Sequence, residues 1–207
     1  MMMGTGMSRR LIGNFAAAAA LGLLAVPATA QRMSDSYTFL KAVRERDGNK
    51  VQELLGSPGA ATTVNVRDQG SGEGALHIVV RERDFTWLSF LLARGAKPDV
   101  QDKQGNTPLG LAAQLGWAEG AEELISRRAT VDLANSRGET PLILAVHHRD
   151  VALVRLLLAK GASAKRTDSV AGYSALDYAK RDPRAAALVK MLEAPPTPPR
   201  AVAGPKF

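Results

Sequence analysis

The sequence predicts an all-α solenoid of about five helix–turn–helix units, stacked in a row and joined by short β-hairpin loops. Three observations carry this reading. The block Gly105-Asn106-Thr107-Pro108-Leu109 returns 33 residues later as Gly138-Glu139-Thr140-Pro141-Leu142. Apolar triplets then follow the key apolar position of each block at twelve, fifteen and sixteen residues, the spacing of one helix face. The 207 residues are 45% hydrophobic but only 5% aromatic and hold no cysteine, which suits a thin core extended by stacking rather than a disulfide-stapled globule.

The first thirty residues read as an export label. Ser8-Arg9-Arg10 is a short basic segment, Leu11 to Val26 is an apolar run, and Pro27 breaks it before the small residues Ala28-Thr29-Ala30. The run falls short of the ~20 residues of a membrane-spanning helix. Cleavage between Ala30 and Gln31 is expected, with a periplasmic destination and no stable membrane insertion afterwards. Either the general or the twin-arginine route can serve this segment. Losing Arg9 and Arg10 leaves 25 basic against 20 acidic side chains in place of the formal +7 of the whole chain.

Units of about 35–67, 68–101, 102–134, 135–167 and 168–194 follow in order. The first is a degenerate copy, with Phe39-Leu40-Lys41-Ala42 and the triplet Val51, Leu54 and Leu55. Its charged residues, from Lys41 to Lys50, suit an end cap. The second has Ala75-Leu76-His77 and Leu88, Leu91 and Leu92; four extra residues between Gly56 and Ala75 mark an extended hairpin and a candidate contact loop. In the third and fourth, Thr107 and Thr140 are placed to cap helices that open on Pro108 and Pro141. Their triplets are Ala121, Leu124 and Ile125, then Val154, Leu157 and Leu158. Gly120 is expected to weaken the second helix of unit three by ~1 kcal/mol relative to Ala. The fifth carries Ala175-Leu176-Asp177 with Leu188, Met191 and Leu192, and Asp182-Pro183 opens its last helix. Gly105, Gly138 and Gly172 fall at tight turns, and Gly95 and Gly161 close helices. Residues 195–207 are Pro-rich, and a disordered tail is expected there.

These residues resemble the ankyrin repeat, whose period and T-P-L-H-x-A pattern they follow over about residues 35–193. Only His77 keeps the motif histidine; Gly110, Ile143 and Asp177 replace it. The resemblance implies a non-catalytic scaffold that binds a protein partner along a concave surface of hairpin tips and first-helix ends. Carried over, the tips are Glu73, Lys103, Gln104, Asn106, Ser136, Arg137, Glu139 and Tyr173. The helix-end stripe is Arg44-Glu45, Arg81-Glu82, Gln114-Leu115, His147-His148 and Arg181-Asp182. Leu115 reads as an apolar residue at an exposed position. Trp87 reads as core; Trp117 reads either as packed against the next unit or as an exposed anchor. An adaptor or stabiliser of an envelope protein is the first expectation, and an inhibitor or immunity-type protein the second.

Other chemistries find little support. Without cysteine there is no thiolate metal site or cysteine nucleophile, and three histidines leave little imidazole chemistry. His147 and His148 point ~100° apart on a helix and lack a nearby third ligand, so no metal and no cofactor is expected. Gly70-Ser71-Gly72-Glu73-Gly74 lacks the Lys-Ser/Thr of a phosphate loop. Basic residues alternate with acids, as in Arg81-Glu82-Arg83-Asp84, so no one-signed stripe for nucleic acid forms. A monomer is expected.

Overall fold

A computed structural model describes residues 28–56 and 58–194, with side chains from residue 36 onward. The export label up to residue 27 and the Pro-rich tail, 195–207, lie outside the described residues. First helices of the five units are α1 (Ala28–Arg44), α4 (Ala75–Arg81), α6 (Pro108–Gln114), α8 (Pro141–His147) and α10 (Ala175–Arg181). Second helices are α2 (Gly48–Leu55), α5 (Phe85–Ala93), α7 (Ala118–Ser126), α9 (Val151–Ala159) and α11 (Ala186–Glu193), the last entered through a 3₁₀ turn at Pro183–Ala185. A short α3 (Ala60–Thr63) links the first two units. β-Structure among the described residues is confined to isolated bridges, Arg67 with Gly74 and Thr167 with Ser174.

Each first helix packs on the next, α1 on α4 through to α8 on α10, and a second layer runs α5, α7, α9, α11. The predicted triplets line the seam: Val51, Leu88, Ala121 and Val154 are fully buried, and Leu188 nearly so. A lone seven-residue helix is too short to hold itself in water. Here the seam buries one side of the paired helices, and that burial, repeated along the stack, supplies the stability.

Caps follow the expected chemistry. Thr107 and Thr140 accept the backbone N–H of Gly110 and Ile143 at 3.0 and 3.3 Å, with Pro at the first helical position. Second helices are capped by Asp47, Asp84 and Asp150, each accepting an N–H three residues on at about 2.9–3.0 Å. Unit three departs from this, because Trp117 takes the aspartate's place and makes no side-chain cap. The Trp117 side is buried rather than an exposed anchor. A Cβ added at Gly120 would stand 2.2–2.5 Å from atoms of the Trp117 ring. Gly120 is therefore the seat of that ring, and the loss of helix propensity is only half of its account.

The residue before each capping position has a left-handed backbone: Arg46, Arg83, Gly116 and Arg149, with φ of 58°, 53°, 65° and 54°. Arginine at such a φ costs ~1–2 kcal/mol. In all three cases the side chain reaches the next unit. Arg46 donates to Asp84 Oδ2 at 2.8 Å and to Glu82, Arg83 to the Leu115 carbonyl, and Arg149 to Asp182 Oδ2 at 3.0 Å.

Hairpin turns project from the first-helix layer and join one another. Lys103 N–H donates to the Ser71 carbonyl, Ser136 N–H to Gln104, and Ser169 N–H to Arg137, at 2.8–2.9 Å. Close approach makes glycine necessary at Gly138: φ is +77°, and a Cβ would lie 2.5 Å from Ser169 N. Of the four extra residues, three fall between Leu55 and Asp68, where α3 forms, and one in the Asp68–Glu73 turn. The expected hairpin extension is thus a helical turn packed against α1 and α2, followed by a hydrogen-bonded loop.

Candidate functional site

A face remains once stacking has used the apolar side, and it is built by the hairpin turns and the C-terminal ends of the first helices. An Asx residue opens each turn and collects its N–H groups. Asp68 accepts from Ser71, Asp102 from Gln104 and Asn106, Asn135 from Arg137 and Glu139, and Asp168 from Val170, Ala171 and Gly172. Asp168 also accepts the Tyr178 hydroxyl at 2.5 Å. That bond, with the loop N–H groups, lowers the Asp168 carboxyl to about 2; the same bond, with burial and the Asp168 charge, raises the Tyr178 phenol to about 12.

The residue just before a first-helix cap and the last residue of that helix, eight positions on, meet in units two and five. In unit two this pair is Glu73 and Arg81, which form an ion pair. Units three and four place Asn106 with Gln114 and Glu139 with His147 in the same positions. Unit five has Tyr173 and Arg181: the guanidinium lies 4.3 Å from the ring centre and donates to the Tyr173 hydroxyl at 2.7 Å. Tyr173 meets Tyr178 edge-on at 5.5 Å, and Tyr178 meets His147 at 4.3 Å. Between α8 and α10 a cleft of about 200 Å³ is lined by Val146, His147, Tyr178, Arg181 and Asp182.

The candidate residues divide on this geometry. Arg44, Lys103, Gln104, Gln114, His147, His148 and Arg181 are exposed, and Tyr173 is half-buried. Arg81 and Arg137 are exposed but paired with Glu73 and Glu139. One expected exposure, that of Leu115, is not found, and two further candidates are partly engaged within their own turns. Leu115 is half-buried against the core, and its carbonyl is taken by Arg83. Asn106 is committed internally: its side chain donates to Asp102 and its carbonyl bonds His77. Glu139, half-buried, holds Asn135 and Arg137, so it shapes the turn rather than standing free. Trp87 is half-buried against the core, with the Arg46 guanidinium 5.6 Å from its ring. Asp150, near the histidine pair, caps α9.

His77 is fully buried. Its Nδ1 accepts the Gly74 N–H at 3.2 Å, so Nε2 carries the proton and donates to the Asn106 carbonyl at 2.9 Å. Burial pushes its pKa below the usual value, and these bonds oppose the shift only in part. Where Asp177 replaces the histidine, its carboxylate accepts the Ser174 N–H at 2.9 Å and keeps half of that arrangement. Tyr178, which completes the aromatic cluster, was not among the sequence candidates. Its signal was a hydroxyl-bearing ring where units two to four carry Ile78, Leu111 and Leu144.

A row of stacked helix pairs with hairpin turns and a polar face defines a repeat scaffold. The chain belongs to the ankyrin-repeat family: the family model for ankyrin repeats (3 copies) matches residues 39–135 and 119–194. Such repeats form protein–protein interaction scaffolds and are typically non-catalytic. A putative ankyrin repeat-containing protein of Treponema pallidum is 37% identical over 121 residues, 57% of this chain and 40% of that one. The human 2-5A-dependent ribonuclease is 36% identical over 84 residues, 41% of this chain and 11% of that protein. Oxysterol-binding protein homolog 1 of Saccharomyces cerevisiae is 30% identical over 79 residues, 37% and 7% of the two chains. The chain thus spans 40% or less of the length of these relatives. Among the described residues, no helix is long and apolar enough to cross a membrane.

Proposed function

We propose that this chain is an exported, non-catalytic adaptor or stabiliser of a protein in the bacterial envelope, held on its hairpin and first-helix face. The observation that carries the reading is the division of each unit: the apolar side is consumed by stacking, while the turn and helix-end side chains are left exposed in register. Export rests on the basic, apolar and Ala-Thr-Ala pattern of the first thirty residues. Cleavage after Ala30 trims α1 to residues 31–44 and leaves its buried residues, Phe39 to Val43, in place.

The test is capture from envelope extracts with the tagged mature protein, beside an Arg44→Glu, Lys103→Glu, Gln114→Glu variant. These three side chains are exposed, so the variant keeps its core. Loss of the captured protein with unchanged thermal unfolding supports the face; equal yield from the variant refutes it. Raised activity or lifetime of the captured protein marks an adaptor, and stoichiometric loss of its activity marks an inhibitor. The mature N-terminus should read Gln31, and full-length protein in the cytosol contradicts export.

A further inference from the structure

The cleft between units four and five has an internal precedent one end of the stack away. In unit two the cap-preceding position and the helix-end position hold Glu73 and Arg81, and the carboxylate neutralises the guanidinium. In unit five the same two positions hold Tyr173 and Arg181, and among the described residues Arg181 makes no ion pair. The neighbouring carboxylates spend their hydrogen bonds elsewhere, although Asp177, one turn back on α10, still feels the Arg181 charge. Asp177 turns to the Ser174 hydroxyl and N–H, Asp182 bonds Arg149 and the Arg184 N–H, and Glu139 bonds Arg137. Arg181 is at the same time held in place. Its guanidinium rests on the Tyr173 ring and donates to the hydroxyl, and Tyr173 rests in turn on Tyr178, which Asp168 anchors. A planar cation already ordered on an aromatic surface loses less entropy on meeting an anion, and its remaining donors form a fork suited to a carboxylate.

We propose that this cleft takes an aspartate or glutamate side chain from an acidic segment of the partner protein, whose carboxylate does for Arg181 what Glu73 does for Arg81. The proposal rests on the reading of this face as the contact surface. About 200 Å³ between His147, Tyr178, Arg181 and Asp182, whose carboxylate is itself paired with Arg149, accommodates one side chain and lies below the roughly 300–1,000 Å³ of sites that enclose a small-molecule ligand. Val146 gives the cleft an apolar floor for the methylene groups, and the His147 and Tyr178 rings form one wall.

The experiment measures binding of a fluorescein-labelled hexaglutamate peptide by anisotropy at low salt, beside hexaglutamine, hexalysine and a hexathymidylate strand. The glutamate peptide alone should bind. Arg181→Gln should weaken it at least tenfold with unchanged thermal unfolding, whereas Arg81→Gln, whose charge Glu73 already neutralises, should stay within about twofold. Tyr173→Phe, which keeps the ring beneath the guanidinium, should retain most of the affinity, and Tyr173→Leu should lose it. Equal binding of the glutamine peptide or the thymidylate strand, or an Arg181→Gln protein that binds as the native one does, overturns the proposal. If Arg181→Gln binds the peptide normally while the triple variant above still loses its captured protein, this site fails and the scaffold reading stands. If the peptide behaves as stated but the triple variant captures normally, the acidic site stands and the wider face does not.

Discussion

Gly120→Ala tests a conflict between helix propensity and packing. Alanine for glycine inside a helix is worth ~1 kcal/mol of stabilisation. At this position the new methyl would stand 2.2, 2.4 and 2.5 Å from three ring atoms of Trp117, which is itself only 7% exposed. The ring has nowhere to retreat without leaving the core, so overpacking of ~1–3 kcal/mol should outweigh the propensity gain. The expected net loss is about 1 kcal/mol, a fall in Tm of about 2–4 °C for a domain of this size. The decisive measurement is a double-mutant cycle with Trp117→Ala, followed by urea unfolding. Trp117→Ala alone should cost about 3–5 kcal/mol. With the ring removed, Gly120→Ala should change sign and stabilise by ~1 kcal/mol, since only the propensity effect survives. A Gly120→Ala protein with a higher urea midpoint than the native one, or an alanine effect of the same sign in both backgrounds, refutes the argument.

Three further outcomes follow from the geometry. Arg149→Ala should be less stable than Arg149→Gly by ~1 kcal/mol in urea midpoints, because both lose the bond to Asp182 but only glycine relieves the left-handed backbone. Stability should fall as pH drops below about 6.5, the ordinary histidine value, because the unfolded chain takes up a proton that buried His77 refuses; the slope for one such proton is at most ~1.4 kcal/mol per pH unit, and it should vanish in His77→Gln. Asp168 contributes stability that is complete above its unfolded pKa near 3.8 and lost as pH falls toward about 2, while Tyr178 contributes stability complete below pH 10 and lost as pH rises toward about 12. Tyr178→Phe should therefore lower Tm most between about pH 4 and 10, with the two proteins converging toward both extremes, read as Tm against pH.

Much of this fold was legible because stacking repeats the same physical demand. Every unit needs an apolar stripe, a cap and a tight turn, so Thr107-Pro108 and Thr140-Pro141 announce their helices locally and the triplets announce the seam. The site was less legible, for reasons visible at single residues. Leu115 looks exposed on its helix, but whether it is depends on the neighbouring unit. Asn106 and Glu139 sit at hairpin tips, where the family makes contacts, yet each hydrogen-bonds inward to hold its own turn. Tyr178 occupies an apolar position of the repeat, so nothing in the period marks it as the centre of an aromatic cluster.

The sequence by itself determined the number of units, their order, the Thr-Pro caps of units three and four and the glycines of the turns, because those depend on spacings within a few tens of residues. Tertiary structure decided which charges are spent and which remain. The Glu73–Arg81 pair and the Tyr173–Arg181 pair have the same spacing in the chain, but only the folded geometry shows one guanidinium neutralised and the other resting on a ring beside an open cleft. It also decided that Gly120 seats Trp117 and that left-handed arginines reach from one unit to the next. Those facts depend on distances between units, and a repeat period holds no record of them.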